Sequence, residues 1–191
     1  DSSTSRGLGD VYKRQVLSIA GTDPTGGAGI QADLKSISAA GGYGMSVVTA
    51  LVAQNTQGVR SVHVPPLDFL QEQLDSVIDD VEIDAVKIGM LADAAITAKV
   101  ADFLRRLPDD VPVVLDPVMV ATSGDRLLEK EAEQAVRDLC SQVDLITPNL
   151  KELAVLTQTD EADNLEQAIA TAKEWAKGAG LSLIHISEPT R

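Results

Sequence analysis

Apolar residues recur along this chain in two alternating rhythms. Short segments rich in apolar residues occupy 16–20, 46–53, 59–64, 85–88, 111–115 and 143–146. Runs of that length predict strands buried on both faces. Between them, apolar residues return every three or four positions. Residues 27–40 do so at Ile30, Leu34 and Ile37, and Gly41-Gly42 then supplies a helix stop. After Pro65-Pro66, the positions Leu67, Leu70, Leu74, Val77, Ile78 and Val81 predict a second helix. Asp93 is placed to cap a third over 94–107, with Ile96, Val100, Phe103 and Leu104 inward. A fourth helix is expected over 129–140, and Pro148 opens a short fifth that ends near Thr157. The sixth, over 165–177, carries Leu165, Ala168, Ile169, Ala172 and Trp175 on one face.

Apolar strands alternating with helices imply an α/β domain with a mostly parallel central sheet covered on both faces. Ligands of such sheets bind beyond the carboxyl ends of the strands. Gly21, Gln54, Gly89-Met90, Asp116 and Asn149 each follow a predicted strand there. The richest of these places is Gly21-Thr22-Asp23-Pro24-Thr25-Gly26-Gly27-Ala28-Gly29-Ile30-Gln31-Ala32-Asp33. Its glycines let backbone approach a ligand closely at a strand-to-helix turn, with Gln31 and Asp33 inside the first turns of the helix.

Composition narrows the class. Hydrophobic residues make up 44% of the chain but aromatics only 3%, so the core is aliphatic. A formal charge of −13 argues against nucleic acid or an anionic membrane as partner and suits a cytoplasmic enzyme of small metabolites. No apolar run reaches the ~20 residues a bilayer-spanning helix needs. Cys140 is the only cysteine, which excludes an internal disulfide. Its neighbours Ala132, Ala135, Val136 and Leu139 make it an expected core residue.

The two ends read differently from the rest. Residues 5–15 are SRGLGDVYKRQ and residues 181–191 are LSLIHISEPTR. One DNA segment that encodes the first encodes the second, residue for residue, when read as its reverse complement. Residues 1–15 and 181–191 are therefore expected to be adapter-derived flanks around a native segment, 16–180, that is cut at both ends. That leaves His63 as the one native histidine, which disfavours histidine-based catalysis.

The glycine-rich string resembles the amino-terminal signature of hydroxymethylpyrimidine and phosphomethylpyrimidine kinases, in the ribokinase-like superfamily. The resemblance continues through Thr49-Ala50-Leu51-Val52-Ala53-Gln54-Asn55-Thr56, Lys87-Ile88-Gly89-Met90-Leu91, Val114-Leu115-Asp116-Pro117-Val118-Met119, Ser123-Gly124-Asp125 and Leu145-Ile146-Thr147-Pro148-Asn149-Leu150-Lys151-Glu152, in the family's order. It implies a ribokinase-like fold with the C-terminal part missing. The implied reaction uses ATP as co-substrate and Mg²⁺ to phosphorylate 4-amino-5-hydroxymethyl-2-methylpyrimidine and then its monophosphate, in thiamine biosynthesis. A homodimer is implied for the intact protein.

The resemblance also assigns residues. Gln54 offers a donor and an acceptor to the ring edge. Asp33 accepts from the hydroxymethyl group or the ring amine. Gly21 and Ala28 admit the ring to the backbone, while Met90 and Val118 form its apolar walls. Asp116, Asn149 and Glu152 place magnesium and phosphates, partly through water. Lys87 is expected to be buried and paired, and Ser123-Gly124-Asp125 to turn near the site. The loop that would carry the anion hole and the catalytic residue lies beyond Gly180 in the family, so this chain is expected not to turn over. A pyridoxal-type kinase and a non-catalytic pyrimidine-binding protein stand as alternatives.

Overall fold

The computed structural model describes residues 14–119, 128, 130–179 and 183–186. Among these residues seven strands form one sheet in the order β3-β2-β1-β4-β5-β6-β7. They are β1 Gln15–Gly21, β2 Tyr43–Asn55, β3 Gly58–His63, β4 Ala85–Ile88, β5 Val113–Leu115, β6 Leu145–Ile146 and β7 Leu183–Ile184. Every pairing is parallel except β2 with β3. The helices are α1 Gly29–Ala39, α2 Leu67–Ile78, α3 Ala94–Leu104, α4 Glu133–Cys140, α5 Leu150–Thr157 and α6 Leu165–Ala179.

One face of the sheet presents Leu17, Ile19, Val86, Ile88, Val113, Leu115 and Ile146. Against it pack Leu70 and Leu74 of α2, Ile96, Val100 and Phe103 of α3, and Val136 and Leu139 of α4. Each fully buried aliphatic side chain there contributes roughly 2 kcal/mol of transfer free energy. The opposite face carries Ser18 and Lys87, directly paired across β1 and β4, beneath α1. The α/β class with helices on both faces is as expected from the alternating pattern.

Several elements differ from the sequence expectation. β2 begins at Tyr43 and runs through Asn55. Its residues 43–50 pair with β1, whereas 51–55 pair with β3 alone. The β2–β3 hairpin therefore overhangs the carboxyl end of β1, and β3 is antiparallel because the connection through Thr56 and Gln57 is too short for a crossover. Helix α1 starts at Gly29, two residues later than expected, because the Gly27 and Ala28 amides are bound to Asp23. Helix α2 stops at Ile78, with Val81 held in the following turn by Val77 O. Helix α3 ends at Leu104, three residues short, and α4 is preceded by a 3₁₀ turn over Lys130–Ala132. Pro148 lies outside α5, whose N-cap is Asn149. On α6, Ala168 and Ala172 are buried against Leu153, whereas Leu165 and Ile169 are 65% and 39% exposed. The small residues allow close approach to α5, which turns the larger ones outward.

Local signals that act as read include Asp93, which caps α3 by accepting from Ile96 N at 2.7 Å. Gly41, at φ 86°, ends α1 with its N–H on Ser38 O. Cys140 is fully buried, and burial pushes its thiol up to about 12, so it is a core residue with no nucleophilic character.

Candidate substrate pocket and charged cluster

The carboxyl ends of the parallel strands share one edge, and the glycine turn begins there at Gly21. Thr22 binds this turn to β2 twice. Its N–H donates to Ala50 O at 2.9 Å, and its hydroxyl accepts from Val52 N at 3.0 Å. Asp23 N–H reaches forward to Gln31 Oε1 at 2.8 Å, tying the turn to α1. The buried Asp23 carboxylate accepts from Thr25 N and Oγ1, Gly27 N and Ala28 N, all between 2.9 and 3.0 Å. Burial pulls its pKa up, but hydrogen bonds from the Gln54 side chain, Thr25 and Ala28 outweigh burial and hold it at about 2. Gln54 is half-buried at a register shift between β2 and β3, in the part of the hairpin that overhangs β1. Ala28 is exposed at the mouth of the turn.

An apolar wall stands beside the turn. Met90, Ala50, Val52 and Ala92 form a small buried cluster with Val118 packed against it. A Cβ on Gly21 would lie 3.1 Å from Met90 Sδ, so glycine is what allows this approach. Thr49 Oγ1 donates to Met90 O at 2.5 Å and fixes the segment after β4 to β2. A shallow groove of about 480 Å³ runs between Thr22 and Pro24 on one side and Leu51, Ala53, Val62 and His63 of the hairpin on the other.

The charged groups gather around Lys87. Its Nζ lies 3.0 Å from Asp33 Oδ2 and 3.8 Å from Asp116 Oδ2. Ser18 Oγ donates to the same Asp33 oxygen at 2.7 Å. Asp116 follows β5, and burial, opposed by Lys87 and reinforced by Asp33, raises its pKa. Farther along the edge, Asn149 and Glu152 form a reciprocal capping box at the start of α5. Asn149 Oδ1 accepts from Glu152 N at 3.0 Å, and Glu152 Oε2 accepts from Asn149 N at 2.9 Å. Glu152 Oε1 also accepts from Met119 N at 3.4 Å. Burial pushes the Glu152 carboxyl up to about 7, and the Asp116 charge adds to the rise.

The expected residues thus fall into four groups. Gly21, Met90 and Val118 share the apolar wall. Asp33 and Asp116 are joined through Lys87, which is half-buried and paired as expected. Asn149 and Glu152 engage each other. Ala28 and Gln54 both engage the Asp23 carboxylate, beside the wall that Thr22 ties to the turn. Ser123-Gly124-Asp125 lies outside the described residues. Asp23 and Ser18 are the organising residues that the sequence reading missed. For Asp23 a signal existed, since Asp followed two residues later by Thr in a Pro-Gly turn favours side-chain-to-backbone closure. For Ser18, buried in an apolar strand, there was none.

Hard oxygen donors at Asp116 and Glu152 suit a magnesium-type cation. Among the described residues no three His, Cys, Asp or Glu side chains converge to hold a metal by themselves. A cation here would draw its remaining ligands from water or phosphate oxygens. Among the described residues no helix is long and apolar enough to cross a membrane.

A family model described as phosphomethylpyrimidine kinase matches residues 23–186. The chain is 56% identical over 183 residues to the thiamine biosynthesis multifunctional protein ThiED of Corynebacterium efficiens, covering 94% of this chain and 25% of that protein. It is 52% identical over 170 residues to the hydroxymethylpyrimidine/phosphomethylpyrimidine kinase of Escherichia coli, covering 88% of this chain and 64% of that one. Among solved structures, phosphomethylpyrimidine kinase from Clostridium difficile superposes with a TM-score of 0.78 at 39% identity, covering 86% of this chain and 71% of that one. The chain spans a quarter of the length of the first relative and just under two thirds of the second.

Proposed function

The chain belongs to the phosphomethylpyrimidine kinase family, and from that premise we propose that it is the pyrimidine-holding part of a hydroxymethylpyrimidine/phosphomethylpyrimidine kinase of thiamine biosynthesis. The observation that carries this reading is the meeting of the Asp23-ordered turn, the half-buried Gln54 amide and the Met90–Val118 wall at one sheet edge. A planar aminopyrimidine needs both an apolar surface for its face and paired donor and acceptor groups for its edge.

In this reading the ring lies against Met90 and Val118, with Gly21 and Ala28 leaving it room. Gln54 meets the ring edge, and Asp33 accepts a hydrogen bond from the hydroxymethyl group or ring amine. In the reaction the hydroxymethyl oxygen forms a bond to the terminal phosphorus of ATP. The bond to the bridging oxygen breaks, ADP leaves and the hydroxyl proton is released. A second transfer onto the monophosphate gives the diphosphate. Mg²⁺, when bound, neutralises phosphate charge, and Asp116 and Glu152 supply the oxygens suited to it, with Asn149 setting the position of Glu152. The anion-hole loop is proposed to lie in the portion of the relatives that this chain does not cover. A cytoplasmic homodimer completes the proposal for the intact enzyme. Residues 1–15 and 181–191 are proposed as adapter-derived flanks of a kinase portion over 16–180, on the strength of their shared reverse-complement coding. Genomic DNA read across both junctions tests that division.

Calorimetry tests the function. The chain is titrated with 4-amino-5-hydroxymethyl-2-methylpyrimidine and, separately, with pyridoxal. Saturable binding of the pyrimidine alone supports the reading. Preference for pyridoxal would replace it with the pyridoxal-kinase alternative, and binding of neither would remove the pocket assignment.

A further inference from the structure

Successive N–H groups at a glycine turn entering a helix, with a threonine hydroxyl beside them, are a donor set that holds phosphate in many proteins. Here that set closes on an internal carboxylate. Asp23 Oδ2 receives Gly27 N at 3.0 Å, Ala28 N at 2.9 Å and Thr25 Oγ1 at 2.9 Å. Its other oxygen receives Thr25 N at 2.9 Å. The residue is 3% exposed, so the carboxylate is closed off from solvent, with the Gln54 side chain joining the donors of the turn it organises. Gly26, at φ 75°, supplies the left-handed step within that turn.

Nearby charge is arranged the same way. Lys35 Nζ is spent on Gly26 O at 2.7 Å, on the outside of the turn. Lys87 stands between Asp33 and Asp116. A phosphate entering the turn would meet the Asp23 charge and find the Gly27 and Ala28 amides already taken.

We propose that Asp23 is a positioning residue that fills the anion nest of the glycine turn, fixing Ala28 at the pocket mouth and closing the turn to phosphate. The turn then serves the ring end of the substrate, and phosphates approach from the side of Asp116 and Glu152. The inference rests on the pyrimidine reading only for the identity of what Ala28 meets.

The test is amide NMR of the full chain during titration with inorganic phosphate. In the unsubstituted protein the Gly27 and Ala28 resonances are expected to stay still. Asp23→Ser empties the nest, and those two resonances are expected to move saturably with phosphate, a gain that a merely structural role would not produce. Asp23→Asn keeps an oxygen in the nest. It is expected to bind no phosphate, while the Gly27 and Ala28 amide protons shift upfield and exchange faster because their acceptor has lost its charge. Saturable phosphate shifts at Gly27 and Ala28 in the unsubstituted chain would overturn the proposal. So would a folded Asp23→Ser protein indifferent to phosphate. Should Asp23→Ser not fold, Asp23→Asn decides, and unmoved Gly27 and Ala28 amides in it would overturn the assignment. Pyrimidine binding is measured separately. A chain that gains phosphate binding in Asp23→Ser but never binds pyrimidine keeps the Asp23 assignment and loses the functional reading.

Discussion

Lys87 Nζ lies 3.0 Å from Asp33 Oδ2 and 3.8 Å from Asp116 Oδ2, so one ammonium on β4 holds together carboxylates delivered by α1 and by the segment after β5. The side chains are partly sheltered, with 25% of Lys87 and 16% of Asp33 exposed. Without the cation, two like charges would face each other at the sheet edge.

Lys87→Met is therefore expected to destabilise the fold by about 1–3 kcal/mol, between the values for surface and buried pairs. It also removes the influence that lowers the Asp116 pKa, so that carboxyl is expected to rise further. Urea unfolding reads the first effect and carboxyl NMR titration the second. An unchanged urea midpoint would show that Lys87 is not the counter-charge.

Glu152 gives the fold a pH dependence in an unusual direction for a carboxylate. Its folded pKa is about 7, above the ordinary 4.5. The folded state therefore holds this proton more tightly than the unfolded chain does. The associated stability is fully present below about pH 4.5 and is lost as pH rises through about 7. Its size is of order 3 kcal/mol, from 1.36 kcal/mol per pKa unit. Thermal unfolding of Glu152→Gln is expected to lose much of the decline in stability that the unsubstituted chain shows between pH 5.5 and 8. An identical slope in both proteins would sink the assignment. Asp23, held at about 2, acts in the opposite sense and only at lower pH.

How legible the molecule was in its sequence depends on how local each device is. Asp93 and Gly41 act on neighbours within a turn, and the sequence located both. The strand-end placement of Gly21, Met90 and Asp116 followed from the alternation of elements. Asn149 and Glu152 were read as a metal-placing pair, yet Asn-x-x-Glu is also the spacing of a capping box, and the structure shows that second use. The Lys87–Asp33 pair spans 54 residues, and only the register of β1 with β4 beneath α1 brings it together. The overhang of β2 was equally hidden, because a strand that changes partners midway keeps the same apolar pattern. Asp23 was missed because the glycines around it signal backbone freedom more strongly than they signal what their amides bind.

Cys140 offers a check on the core. Its full burial and a thiol pushed up to about 12 leave almost no thiolate at neutral pH. Ellman's reagent is expected to react with it only as fast as the chain opens, and at once in denaturant. Immediate reaction in native buffer would mean that α4 does not pack against the sheet as described.

Two glycine-to-alanine substitutions separate backbone demand from helix propensity. Gly29 opens α1 at φ 56°, and a Cβ there would lie 2.4 Å from Gly21 O. Neither the left-handed backbone nor the carbonyl contact can be relieved without moving the turn away from β1. Gly29→Ala is expected to cost more than about 2 kcal/mol, the combined scale of strained backbone and overpacking. Gly178 lies inside α6, and nothing stands within 4 Å of an added Cβ. Gly178→Ala is expected to stabilise by about 0.5–1 kcal/mol, because alanine loses less backbone entropy in a helix. Urea titrations of both variants, run against the unsubstituted chain, read the two signs directly. A neutral Gly29→Ala would mean that the turn is looser than its hydrogen bonds to Asp23 imply, and the ordered entrance to the pocket would have to be abandoned with it.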